Sequence, residues 1–310
     1  MTGWAGGRKS FGRAPCGALT FALIAAMVGA IGIYGTPSAS PVGIVSTNLK
    51  AYRATVASDS AVVVSTFSLT YGTRSGNFSE TSMGPFSWSQ NRGELTASTV
   101  GSGFVFTTEV IIDGNRTYST TSSADLPSNS SESSGWTETT WHGRGVRNTQ
   151  SLLDMAFLGF FSPGLEPSPN TMLGVLRSKE TSEDKLGTHV LNGVVTRHFR
   201  SFIPFASLGV PASAAEVERV LGTKYLEVNY WTDSSNRLRL MQFGLKIKRN
   251  PETTTTTRPL VSATAPHFPI TEAFQLQVSD YGTPVVVTPP PASEITSTTT
   301  CEVSADGTSC

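Results

Sequence analysis

Charge is scarce in this chain. Asp, Glu, Lys and Arg make up 15% of its 310 residues, and 23 basic residues balance 23 acidic ones. That balance excludes a general basic field for nucleic acid. Ser, Thr and Gly supply the polar material instead, which fits an exported β-rich protein better than a cytosolic helical one. Catalytic furniture is also missing. There is no Gly-x-Ser-x-Gly elbow, no P-loop and no dinucleotide glycine pattern. The four histidines, His142, His189, His198 and His267, lack metal-ligand spacing and read as structural or surface residues. Asp233 and Asp280 fall in turn sequences and read as turn formers. The expectation is a protein that is not an enzyme, with no cofactor and no metal.

What is present begins with a targeting segment. Arg8, Lys9 and Arg13 precede residues 17–34, which carry no charge. That stretch lies between a long signal h-region and a short membrane helix, and both readings stand. Either way the basic side stays in the cytoplasm and the rest is exported. Cys16 precedes the apolar run, so it is not a lipobox cysteine. Cys301 and Cys310 are a candidate disulfide in an oxidising compartment, with two free thiols as the alternative.

Residues 1–46 are read as signal or anchor plus linker, 47–294 as one domain, and 295–310 as a disordered tail. Leu49, Tyr52 and Val56 have helical spacing, with Ser46 or Thr47 available as N-cap. From Ala61 the period becomes two. Val63, Phe67, Leu69 and Tyr71 share one parity; Phe104, Phe106, Val110 and Ile112 share another. Asp113-Gly114-Asn115 marks a hairpin. Residues 152–161, with Leu153, Phe157 and Phe161, are apolar nearly all round and predict a helix against sheet or ligand. Phe157 and Phe161 flank Gly159 and precede Pro163, which makes them candidate gate residues. Ser168-Pro169 predicts a second short helix through Leu176. Ser213 with Glu216 predicts a third, ended by Gly222. Late strands hold Val228, Tyr230, Phe243, Leu276 and Val278. The inward parity shifts between Leu238-x-Leu240 and Met241-x-Phe243, which predicts a β-bulge near Leu240. Two Thr/Pro-rich stretches, 251–259 and 289–300, are read as a long hairpin insertion and the start of the tail.

The order of these elements resembles the LppX/LprG-type members of the LolA-like superfamily of bacterial envelope proteins. The likeness rests on the helix before Phe67-Ser68-Leu69 and the helical pair around residues 152–176. It also rests on Leu191-Asn192-Gly193-Val194-Val195-Thr196-Arg197-His198-Phe199, Tyr230-Trp231-Thr232-Asp233, and Ser279-Asp280-Tyr281-Gly282 ahead of Pro289-Pro290-Pro291. The resemblance implies an α+β fold: a single strongly curved antiparallel sheet, a half-barrel, with short helices plugging its concave face. It implies an exported carrier that holds a lipid or lipoconjugate between sheet and helices, with an envelope transporter as a potential partner and the membrane engaged through the N-terminal segment. Unlike typical members of that branch, residues 35–41 contain no lipobox cysteine.

The cavity candidates are Phe67, Leu69, Phe104, Phe106, Val110, Ile112, Leu153, Phe157, Phe161, Leu173, Val228, Tyr230, Phe243 and Leu276. Taken singly, each is as well explained as ordinary core. Together they line a sheet too long for three short helices to fill, and ligand pockets of that kind are mostly apolar. A tethered sensor or scaffold domain with a small or filled cavity is the competing reading.

Overall fold

The computed structural model describes residues 46–71, 76–101, 104–123, 135–142, 168–179, 181–208, 218, 221–247, 270–304 and 307–309. The chain divides into Met1–Pro37 and Ser38–Cys310, and every described residue belongs to the second unit.

That unit is built on one sheet. Its strands are β1 (Ser60–Tyr71), β2 (Gly76–Ser87), β3 (Arg92–Gly101), β4 (Phe104–Asp113), β5 (Arg116–Ser123), β6 (Trp136–His142), β7 (Ser182–Leu191), β8 (Val194–Pro204), β9 (Tyr225–Thr232), β10 (Leu238–Ile247), β11 (Ile270–Ser279), β12 (Ile295–Ser304) and β13 (Gly307–Ser309). Their order is β13-β12-β6-β5-β4-β3-β2-β1-β11-β10-β9-β8-β7. The sheet is not closed: β7 and β13 are its two edges. Twist accumulates across so many strands, and open sheets beyond about ten strands curl. The result is a half-barrel.

Every described pairing is antiparallel except β6 with β12, which run parallel. The single curved antiparallel sheet is as expected, with this one parallel pair at its end. One expectation is corrected: residues 295–304 are a strand and not a disordered tail. The run from Ile295 to Cys301 is Thr-rich, and β-branched threonines suit a pleated edge as well as they suit a loop. Cys301 is buried and disulfide-bonded. Both other cysteines, Cys16 and Cys310, lie outside the described residues.

The predicted bulge is present: the β9–β10 register shifts between Leu238 and Leu240. Leu238, Met241, Phe243 and Leu245 consequently all face inward and are buried. The Asp113–Arg116 pair closes the predicted hairpin around Gly114, whose φ is +66°. Strand β3 was not expected. Its inward positions are Gly93, Leu95, Ala97 and Thr99, and only one of those is large and apolar. For Gly93 the reason is steric: a Cβ there would meet the Phe86 ring at 2.6 Å; across the ladder on β2, one on Gly84 would meet Glu94 O at 2.0 Å.

Two helices are described, α1 (Thr47–Ala57) and α2 (Pro169–Gly174), the latter continued by a 3-10 turn, Val175–Arg177. Ser168 caps α2 by accepting from the Thr171 N–H, with Pro169 behind it. At α1, Ser46 occupies the N-cap but makes no side-chain bond there. Glu183 of β7 serves instead, accepting from the backbone N–H groups of Thr47 and Asn48 at 2.8 Å each. A carboxylate at a helix N-terminus satisfies free donors and complements the helix dipole. Asn48 then ties α1 to the 3-10 turn, donating to the carbonyls of Leu176 and Ser178. Met172, Leu173, Val175 and Leu176 join Ala51 and the inward residues of the sheet in one core. The helix expected over residues 152–161, the 251–259 insertion and most of the helix expected after Ser213 lie outside the described residues. Gly222 does take a positive φ, and its N–H bonds Glu218 O, as a helix end requires.

Candidate ligand-binding face

Strand periodicity and register together define the inner face. Because side chains alternate, residues paired across neighbouring strands fall into transverse rows. One row runs Val228, Phe243, Phe274, Phe67, Glu80, Thr99 and Phe106, from β9 to β4. The next row outward along β1 runs Leu245, Glu272, Leu69 and Phe78. Below them lie Tyr230, Met241, Leu276, Ser65, Ser82, Ala97 and Thr108.

An aromatic run crosses the first two rows. Phe243 stacks on Phe274 with centroids 4.9 Å apart, Phe274 meets Phe67 at 5.0 Å, and Phe67 meets Phe78 edge-on at 6.1 Å. Such contacts add to the gain from burial alone. Beyond it the wall of β2–β5 turns polar. Ser65 and Ser82 share a hydrogen bond of 2.5 Å, and Thr108 and Thr121 one of 3.1 Å.

Two carboxyl groups interrupt the aromatic layer. Glu80 sits opposite Phe67, and Glu272 opposite Leu69 and Leu245. Glu80 accepts from Thr99 Oγ1 at 2.9 Å through one oxygen, while Oε1 is buried without a partner. Glu272 is 1% exposed and its Oε2 has no partner. Burial pushes the Glu80 carboxyl up to about 7, against the opposing hydrogen bond from Thr99. Burial alone pushes Glu272 up to about 8. Both are therefore largely or substantially protonated near neutral pH, which is how an apolar wall tolerates a carboxyl.

The hydrogen bonds that fasten the described helices to the Ser87 end of β2 lie away from Glu80. Asp59 O accepts from Trp88 N, and Asn170 donates to Trp88 O and Asn91 Oδ1. These bonds lie at the Ser87 end of β2, roughly 20 Å along the strand from Glu80 at 3.3 Å per residue.

Of the expected cavity residues, the structure brings Phe67, Leu69, Val110, Ile112, Leu173, Val228, Tyr230, Phe243 and Leu276 into one inner-face core. Phe106 faces the same way, half-buried, in register with Thr99. Phe104 pairs with Gly101 at the start of β4. Leu153, Phe157 and Phe161 lie outside the described residues. Tyr230 is fully buried, and its hydroxyl is engaged by Glu183 at 2.6 Å. Burial first, then the Glu183 carboxylate, raises its pKa above the ordinary tyrosine value. Sequence reasoning missed Glu80 and Glu272. The available signal was a charged residue at the apolar parity of a strand, within Phe78-Ser79-Glu80 and Glu272-Ala273-Phe274.

Asp233 shapes the β9–β10 turn as read, accepting from the backbone N–H groups of Ser235 and Arg237 and from the guanidinium groups of Arg237 and Arg239. His198 stacks on Trp231 at 4.0 Å and bonds Asn229. Among the described residues no group of three or more His, Cys, Asp or Glu side chains could hold a metal ion.

This architecture is a half-barrel with helices on its concave side, the arrangement that the sequence resemblance implies. Solved structures of similar shape include the Mycobacterium tuberculosis lipoprotein LppX, 13% identical, TM-score 0.37, covering 78% of this chain and 98% of LppX. LprF from Mycobacterium bovis is 12% identical, with a TM-score of 0.35, covering 83% of this chain and all of LprF. A putative outer membrane lipoprotein-sorting protein domain from Vibrio parahaemolyticus is 9% identical, with a TM-score of 0.26, covering 77% and 93%. No family model matches the chain, and no curated protein sequence matches it.

Proposed function

We propose that this is an exported, non-catalytic protein that binds a lipid or lipoconjugate against the inner face of the half-barrel and carries it within the cell envelope. The observation that carries this reading is the aromatic run Phe243–Phe274–Phe67–Phe78 on the concave side, away from the hydrogen bonds that fasten the described helices to β2. Acyl chains laid on such a wall gain on the order of 0.8 kcal/mol per buried methylene, so affinity needs few polar contacts. The 17–34 segment serves as the export signal or membrane tether. Phe157 and Phe161 are the proposed gate, and a transporter of the envelope is the proposed partner.

A second reading has its own support. Leu69 and Phe274 are only 4% and 3% exposed, as in a filled core, which favours a tethered sensor or scaffold domain. Mass spectrometry of lipid co-purified with the full chain separates the two. A stoichiometric lipid supports the carrier; its absence from protein isolated from cells and from protein incubated with vesicles supports the scaffold.

A further inference from the structure

We infer that Glu80 and Glu272 form a polar recognition point inside the lipid-binding face, suited to uncharged hydroxyl and ester groups of an acylated polyol and not to an anionic phosphate head group. The inference rests on the carrier reading and narrows its ligand class.

The geometry is specific. The strands β11, β1 and β2 lie side by side, and the two glutamates occupy β11 and β2 with β1 between them. The flanking inward residues of Glu272 are apolar, Phe274, Leu69 and Leu245; Glu80 has apolar Phe67 and Phe78 on one side and Thr99 and Ser82 on the other. Two carboxyls thus sit on either side of a Phe–Leu strip, at two points along a chain-sized apolar track. Neither has the partners a structural carboxyl would have. Elsewhere in this protein Glu183 and Asp233 each satisfy several donors. Glu272 Oε2 and Glu80 Oε1 satisfy none, and leaving a buried polar atom unpaired is costly. A ligand that supplies the missing partners recovers that cost on binding.

The sign of the charge decides the ligand class. Among the described residues no Lys, Arg or His faces either carboxyl from β1, β2, β3, β10 or β11: Lys246 and Arg92 alternate to the outer face. The nearby polar side chains are uncharged hydroxyls: Thr99, which bonds Glu80, and Ser82, which bonds Ser65. With no cation to share, an anionic head group would find only repulsion or desolvation here. A neutral carboxyl offers one donor and remaining acceptors, which matches a hydroxyl or an ester carbonyl.

The test uses the full chain in a sugar-detergent micelle, with dioleoylglycerol and dioleoylphosphatidylglycerol as probes and native mass spectrometry to count adducts. At about pH 6 the diacylglycerol adduct should dominate. At about pH 9, roughly one unit above the higher folded pKa, it should fall about tenfold as both carboxyls ionise. Glu80→Gln/Glu272→Gln keeps shape and neutrality, so its diacylglycerol adduct should change by less than about twofold over the same range. Each single Gln variant is run beside it, with thermal unfolding to confirm folding. An equal fall in the double variant, or no fall in the wild type, overturns the inference while leaving the carrier reading intact. Equal loading of the anionic lipid at both pH values does the same. No adduct of either lipid at any pH overturns both.

Discussion

Tyr230 donates its hydroxyl to Glu183 Oε1 at 2.6 Å, and the same carboxylate accepts from the first two N–H groups of α1 and from Ser201 Oγ. One side chain of edge strand β7 therefore fastens both the sheet floor and the helix above it. Tyr230→Phe removes one donor and leaves the others, so it should cost about 1 kcal/mol. Glu183→Ala strands a fully buried hydroxyl and two helix donors together, and should cost about 3 kcal/mol. Urea denaturation of both variants checks the ratio. Equal costs would mean that the helix cap contributes nothing.

The inner carboxyls set a pH dependence of stability. Their folded pKa values, about 7 and about 8, lie above the ordinary glutamate value of 4.5. The folded state then binds more protons than the unfolded state between those limits. Stability is full below the unfolded pKa and declines as pH rises through about 8. Glu272→Gln should thus be close to neutral at about pH 5 and stabilising by on the order of 4 kcal/mol at about pH 9. Chemical denaturation at the two pH values reads the difference directly.

Asp233 should act in the opposite sense. Burial alone would raise its pKa, but the Arg237 backbone N–H, the Arg237 guanidinium and Arg239 outweigh burial and hold it below the ordinary aspartate value. Its contribution is present above the unfolded pKa and lost as pH falls through the folded one. Asp233→Asn should destabilise by about 1–2 kcal/mol at neutral pH and by much less in acid. Because Arg237 and Arg239 also lie over the Tyr281 ring, at 4.5 and 4.9 Å, near-ultraviolet circular dichroism should register the change. An unaltered acid limb of the stability curve would contradict this account.

Gly84→Ala should be among the most damaging single-methyl changes in the sheet. The added Cβ would stand 2.0 Å from the backbone oxygen of Glu94, which cannot rotate away. Parting β2 from β3 should cost about 2–4 kcal/mol, the scale of severe overpacking. Gly114→Ala meets no atom within 4 Å and faces only its positive φ, so it should cost about 1 kcal/mol. Melting temperatures of the two variants give the order.

Much of this protein was determined by its sequence. Period-two runs such as Val63–Leu69 and Val228–Tyr230, the turn at Gly114, the cap Ser168-Pro169 and the parity shift at Leu240 each follow from local chemistry, and each is found where it was read. Those signals work because a half-buried strand must alternate and a bulge must break the alternation. The tertiary structure decided what local chemistry leaves open. Strand β3 carries Gly93 inward because the Phe86 ring and the Pro85 carbonyl fill the space a side chain would need, a demand invisible within β3 itself. Thr-rich residues 295–304 became a strand because Trp136–His142 offered a parallel edge. Glu183 became the cap of a helix 135 residues away. And Glu80 and Glu272, ordinary surface letters in a sequence, were turned inward by register alone, because a residue's side of a sheet is fixed by what its strand pairs with.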